Sequence, residues 1–236
     1  MWLHASNISC THGFSTRYGG LSNAPFDSLN LGGHEDDPAL ISSNRKLALE
    51  ALKQSLNNLC TLKQVHGTGV CEARPGQQEG DALVTNEKNL VLAVSIADCY
   101  PILFYDPENA VVGAAHAGWR GTVGKIAANT VQGMLQLGAQ TKNIQVAIGP
   151  GISWNNFEVG NEVKEQFFST GFSHSCFHGN KIDLVACNRF VLEAFGISGK
   201  NIWSMDRCTF ESDFFSYRRD KGKTGRMWGL ITLNTN

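Results

Sequence analysis

Two imidazoles and a thiol stand out as the groups able to do chemistry in this sequence. His66 lies in KQVHG, Cys99 in IADCYP and His116 in AAHAGWRG. Each follows an apolar run and precedes Gly, Tyr-Pro or Ala-Gly, where a sheet ends and a site can open. Two histidines and a cysteine suit a borderline-soft metal ion, and three protein ligands leave a fourth position for water or substrate. The same residue types also suit a Cys99 nucleophile with His116 as its base. The separations of 33 and 17 residues match no local zinc motif. Spacing alone therefore leaves a buried cysteine and two hydrogen-bonded histidines as the plainer reading. A second trio, His174, Cys176 and His178, alternates in FSHSCFHG and would share one face of a strand there. A polar loop or edge strand is the simpler expectation for that segment.

The elements that must position these residues follow from periodicity. Gly13 to Gly33 is rich in Gly, Ser and Asn and reads as turns or short edge strands. Asp37-Pro38 opens a helix as N-cap and first helical residue. Leu40, Leu47, Ala51, Leu52 and Leu56 continue its apolar stripe. Short β-rich runs follow at Thr61–Val65, Asp81–Thr85, Leu90–Ile96, Ile102–Tyr105 and Val111–His116. Leu90–Ile96 and Ile102–Tyr105 are apolar on both faces, which predicts central strands covered on two sides. A helix fits Thr122–Leu137, stopped by Gly138. Ile144–Ile148 reads as a buried strand. Helical patterns follow near Asn161–Phe168 and at Leu184–Phe195, the latter stopped by Gly196, and Arg226–Leu233 closes as a strand. Strands and helices do not alternate strictly, so a mixed-sheet α/β sandwich is expected.

Composition narrows the function classes. The 236 residues are 42% hydrophobic and only 17% charged, so much of the chain must be packed and disorder is excluded as its overall state. That length favours one compact unit, residues 1–236 as a single domain. With 20 basic and 21 acidic residues there is no bulk attraction to nucleic acid or to an anionic membrane. The N-terminus has no secretory pattern, and the longest apolar stretch, Leu90–Ala97, is far too short to span a bilayer. Seven cysteines without a CxxC pair predict reduced thiols and a cytoplasmic location. Cys10, Cys60, Cys71, Cys187 and Cys208 read as core. No signal sets the oligomeric state.

The words around these residues are more specific than their spacing. TRYGGLSNAPFDSLNLG, QVHG, GDALVT, ADCYPILFYD, HAGWRGT, AIGPGI, FEVGNEV and the closing CT…FFSYRRDKGKTGRM run in order. Together they closely resemble the YfiH family, also called the laccase-domain or polyphenol-oxidase-like family, from about Gly13 to Leu233. The resemblance implies a single-domain αββα sandwich of mixed sheets, distantly similar to the cytotoxic necrotizing factor catalytic domain. It implies a zinc-dependent enzyme that phosphorolyses adenosine, inosine and methylthioadenosine and deaminates adenosine. It assigns His66, Cys99 and His116 as the metal ligands. Its partners would be small-molecule purine nucleosides and phosphate.

Both reactions make demands on the remaining residues. Phosphorolysis needs an anion held near C1′, and a guanidinium fork matches phosphate. Arg120, after Trp119 and before the predicted second helix, is the first candidate, with Arg45 and Arg17 behind it. Each could instead form a structural ion pair. Deamination needs an activated water and a carboxylate to shuttle protons. Asp98, beside Cys99, and Asp81 are candidates, and either could instead orient a ligating imidazole. Asn30 could bind substrate or shape a turn, and Trp119 could stack on a base or pack in the core. AIGPGI reads as a turn beside the site. A multicopper oxidase needs many histidines, typically in His-x-His pairs. This chain has seven His and no such pair, although an open His2Cys site could take Cu2+ in place of Zn2+. The alternatives are a cysteine hydrolase or peptidoglycan-editing amidase using Cys99, a copper-dependent polyphenol oxidase, or a metal- or partner-binding protein without turnover.

Overall fold

The structure, a computed structural model, describes residues 1–234. Strands Trp2–Leu3 (β1) and Thr11–Ser15 (β2) precede helix Pro38–Glu50 (α1). Five strands then follow: Leu59–Lys63 (β3), Val70–Glu72 (β4), Gly76–Glu79 (β5), Ala82–Thr85 (β6) and Val91–Ile96 (β7). Tyr100–Asp106 (β8) and Val111–Ala117 (β9) lead into helices Trp119–Val123 (α2) and Ile126–Gln136 (α3). After Gln145–Ile148 (β10) come helix Asn161–Ser169 (α4), the small hairpin Phe177–His178 (β11) and Lys181–Ile182 (β12), and helix Leu184–Ala194 (α5). Ile202–Ser204 (β13) and Met227–Thr232 (β14) complete the chain.

Two mixed six-stranded sheets result, in the orders β1-β2-β14-β7-β3-β5 and β13-β10-β8-β9-β6-β4. They stack face to face because the central strands are apolar on both sides. In β7, Leu92 and Val94 enter the layer between the sheets, while Val91 and Ala93 meet Leu49 of α1 on the outer face. In β8, Leu103 points into the same inner layer, and Ile102 and Phe104 pack with Val131 of α3 and Val191 of α5. Helices therefore cover both outer faces, and the expected αββα layering of mixed sheets is what the chain adopts. Gly113 of β9 and Gly133 of α3 permit the close seating of that helix: a Cβ at Gly113 would lie 3.1 Å from Thr130.

Several boundaries differ from expectation. The first helix ends at Glu50 rather than Leu56. Lys53 takes a left-handed φ of 56°, and the Gln54 N–H turns back to the Leu49 carbonyl at 2.9 Å. The helix expected over Thr122–Leu137 is two helices, broken where Lys125 adopts φ 63°. That break lets α2 press against the loop after β3, where a Cβ on Gly124 would meet Thr68 at 2.4 Å. β2 lies between β1 and β14 rather than at an edge. His174–Cys176 is a 3-10 turn, so the three alternating residues share no strand face. His178 stacks on Trp154 and His174 leans on Phe168 instead. Cys71 and Cys208 are only partly buried, unlike Cys10, Cys60 and Cys187. No helix among the described residues is long and apolar enough to cross a membrane.

Candidate metal centre at one end of the sandwich

The site is built where β3, β7 and β9 end and β6 and β8 begin. β9 and β6 pair antiparallel with Ala115 opposite Ala82, which sets His116 beside Asp81. The His116 N–H donates to the Asp81 carbonyl at 2.8 Å, and its Nδ1 lies 2.9 Å from Asp81 Oδ1. His116 is 3% exposed and Asp81 fully buried. With Asp81 ionised, Nδ1 carries the proton and Nε2 is the ring nitrogen left for a metal.

Asp81 also shapes the loop bearing His66. Its carboxylate accepts the backbone N–H groups of Val65 at 3.3 Å, His66 at 3.0 Å and Gly67 at 2.7 Å. Burial opposes ionisation of Asp81, but the bonds from His116 and Gly67 outweigh it and hold the carboxyl below its usual range. Upstream, Gln64 exchanges two hydrogen bonds with the Ser95 backbone at 2.8 and 2.7 Å, tying this loop to the end of β7. His66 itself sits at φ 58°, exposed at the mouth.

Cys99 follows Asp98, whose φ of 88° is costly for a residue with a side chain. The turn is held by bonds to both carboxylate oxygens. Thr209 and Ser216 hydroxyls donate to Asp98 Oδ1 at 2.6 Å each, and the Arg218 N–H donates to Oδ2 at 2.7 Å. The Ile152 N–H, at the end of AIGPGI, donates to the Asp98 carbonyl at 2.8 Å. These bonds brace the turn that presents Cys99.

The three side chains converge. The ligating atoms of His66, Cys99 and His116 all lie within 4.8 Å of one another. The two imidazoles meet edge to face at 4.8 Å between centroids. Burial alone would raise the Cys99 thiol, but the two histidines, His116 foremost, bring it down to about 6. Burial likewise works against a charged His116, yet the Cys99 thiolate and Asp81 push it up to about 9. Gly118 closes one side: a Cβ there would stand 2.9 Å from Cys99 Sγ and 3.3 Å from the His66 ring. A thiolate, two imidazoles, a carboxylate behind one of them and a cradle that only glycine leaves open fit a tetrahedral ion with one free position. Among the described residues no other group of three such ligands occurs, so the trinuclear cluster of a multicopper oxidase has no counterpart here.

The cationic candidates separate clearly. Arg17 is engaged elsewhere, with its Nη2 3.1 Å from Asp27 Oδ1 and its Nε donating to the Asp27 carbonyl. It is the structural ion pair, not an anion ligand. Arg120 is exposed and lies over the Trp119 ring at 4.4 Å. Trp119 packs against the helix-side core. Arg45 donates through Nε to the Leu31 carbonyl at 2.8 Å and lies over Trp228. On the far side of Leu31, Arg226 donates to the Thr224 and Gly225 carbonyls, and its own carbonyl accepts the Leu31 N–H. Burial pulls both guanidinium groups down from their usual value, and among the described residues neither is paired with a carboxylate. Asn30 is consumed internally. Its amide donates to Asp36, and its oxygen accepts the Gly32 and Arg226 N–H groups. It shapes the turn whose Leu31 backbone bonds to both arginines. Arg226 and the double grip of Asp81 went unassigned or undecided in the sequence. Arg226 opens an apolar strand run and has no local pattern around it.

Residues 11–234 match the family described as multi-copper polyphenol oxidoreductase laccase. The chain is 45% identical over 235 residues to a Deinococcus radiodurans protein named purine nucleoside phosphorylase, covering 98% of this chain and 92% of that one. It is 40% identical over 230 residues to the Escherichia coli purine nucleoside phosphorylase YfiH, covering 93% and 92%. The crystal structure of YlmD from Geobacillus stearothermophilus superposes with a TM-score of 0.94 at 34% identity, covering 99% of this chain and 96% of that one. The Bacillus licheniformis YfiH structure does so at 0.90 and 33%, covering 94% and 92%. The motifs, the layered sheets and these likenesses agree, and the chain belongs to the YfiH laccase-domain family.

Proposed function

We propose that this chain is a purine nucleoside phosphorylase of the cytoplasm, acting as one domain on adenosine, inosine and methylthioadenosine. In the same site it would deaminate adenosine. The observation that carries the reading is the convergence of His66, Cys99 and His116, with the partly buried Arg226 within electrostatic reach of Cys99, in a chain whose relatives bear that name. Zn2+ is the metal best matched to two imidazoles and a thiolate, with Cu2+ as a substitute. A divalent ion there supplies Lewis-acid polarisation and lowers the pKa of an attacking water.

The chain's own residues account for the rest. In phosphorolysis a phosphate oxygen bonds to C1′ while the C1′–N9 bond breaks, and the electron pair leaves with the purine. Arg45 and Arg226, joined by Arg120 at the rim, hold the phosphate, since desolvated guanidinium forks bind such an anion bidentately. Asp81 fixes the His116 tautomer and the His66 loop. Asp98 positions Cys99 rather than moving protons.

The test is chromatography of adenosine incubated with zinc-loaded protein, with and without phosphate. Free adenine and ribose 1-phosphate should form only with phosphate, and inosine should form without it. No phosphate-dependent product from any purine nucleoside would refute the reading. A second reading has one specific observation behind it: Cys99, His116 and Asp81 are arranged as nucleophile, base and orienting carboxylate, which suits a metal-free cysteine hydrolase or amidase. It requires that zinc not hold Cys99, so that the thiolate stays freely reactive in protein supplied with the ion.

A further inference from the structure

We propose that the exposed ring of Tyr217 is the surface on which the substrate's purine base stacks. This rests on the nucleoside reading and assigns it a residue. A purine is flat and largely apolar on its faces, and it gains most from a rigid aromatic side chain with one face open. Most aromatic residues near the metal centre cannot offer one. Trp119 packs against the core with Arg120 over its ring. Tyr100 is buried with its hydroxyl on the Ile152 carbonyl, and Phe214, Phe215 and Trp228 are buried. Tyr217 is 55% exposed.

Its placement is not that of a free surface residue. Ser216 and Arg218, on either side of it, both bond to the carboxylate of Asp98, the residue before Cys99. The backbone of Tyr217 is thus fastened beside the metal-ligand turn. The ring has two close neighbours as well. The Arg226 guanidinium lies 5.7 Å from its centroid. The Gly222 N–H donates to the Tyr217 carbonyl at 2.8 Å, and a Cβ on Gly222 would come 3.4 Å from the ring. Gly222 has φ 93°, so glycine suits this tight return beside the ring. The result is a pre-oriented aromatic face touching one of the two arginines assigned to phosphate. A nucleoside with its base on Tyr217 would direct its ribose toward that anion site. Stacking reads a π-face rather than a donor pattern, which would admit adenine and hypoxanthine alike.

The test compares Tyr217→Ala and Tyr217→Phe with the wild-type chain, all zinc-loaded. The alanine variant should raise the nucleoside KM by about tenfold to a hundredfold. Its zinc content and melting temperature should stay unchanged, its phosphate KM should move far less than its nucleoside KM, and phenylalanine should restore the nucleoside KM. Binding is read separately with 2-aminopurine riboside, whose fluorescence should be quenched by wild type and Tyr217→Phe but not by Tyr217→Ala. An alanine variant with unchanged nucleoside KM and full quenching would overturn this role while leaving the phosphorylase reading intact. A wild-type chain that neither turns over a purine nucleoside nor quenches the probe would overturn both.

Discussion

Asp81→Asn is the sharpest perturbation of the metal centre, because it changes charge and hydrogen bonding with almost no change in shape. The native carboxylate takes four donors: His116 Nδ1 and the backbone N–H groups of Val65, His66 and Gly67. An asparagine keeps one oxygen, so its amide must face either His116 and His66 or Val65 and Gly67. In the first orientation His116 must move its proton to Nε2, the nitrogen needed for the metal. In the second, the loop bearing His66 loses its anchor and meets a donor instead. Losing such an orienting partner lowers metal affinity by about 10- to 100-fold, equivalent to about 1.4–2.7 kcal/mol. Leaving buried donors unmatched should also remove about 2–3 kcal/mol of folding stability. That corresponds to a fall in Tm of about 4–12 °C for a chain of this size. The assay is zinc competition against a chromophoric chelator, beside a thermal melt. A variant that melts lower yet binds zinc as tightly as wild type would refute the orienting role and leave Asp81 a brace of the fold.

The remaining predictions concern the ligands and their surroundings. Elemental analysis should find about one zinc per chain, and Cys99→Ala should lose most of it; an undiminished content would disprove the assignment. In zinc-stripped protein, alkylation of Cys99 should rise with pH through about 6 and be level above neutrality, because a thiol lowered this far is already thiolate there. An ordinary thiol would still be climbing toward pH 9, and zinc should protect Cys99 throughout; rapid alkylation of the loaded protein would favour the hydrolase. Gly118→Ala would put a methyl group 2.9 Å from Cys99 Sγ, so zinc affinity should fall while the sheets stay folded, as read by chelator competition and circular dichroism. Arg120→Lys and Arg226→Lys should each raise the phosphate requirement by about tenfold to a hundredfold and spare deamination; equal loss of both activities with a lower Tm would mark the residue as structural.

The order of elements was legible because it depends on local patterns, and the three candidate ligands because the motifs around them resemble a known family. Leu90–Ile96, interrupted only by Ser95, and Ile102–Tyr105 place apolar residues on both faces, as a strand covered on two sides requires. His66, Cys99 and His116 each follow such a run and precede residues that break it, so a reader of the sequence alone meets them at the ends of strands. Other features stayed illegible because no local pattern encodes them. The left-handed Lys125 splits the second helix just after Gly124, although lysine itself is a good helix former. The turn at His174–Cys176 replaces an equally plausible strand.

Roles that depend on register were beyond the sequence entirely. Asp81 and Asp98 are both acids beside candidate ligands and cannot be ranked by type or position. The pairing of Ala82 with Ala115 puts Asp81 against His116, whereas Asp98 is claimed by Thr209, Ser216 and Arg218 more than a hundred residues away. The Asn30 oxygen accepts the Arg226 N–H across 196 positions, and that bond helps fix Arg226 against the turn to which Arg45 of α1 also bonds. Residue types and periodicity determined which groups could react and which segments would be strands. Only the stacking and register of the two sheets decided which acid orients the imidazole, which arginines lack a partner and which aromatic ring is left open, because those outcomes are set by neighbours far apart in the chain.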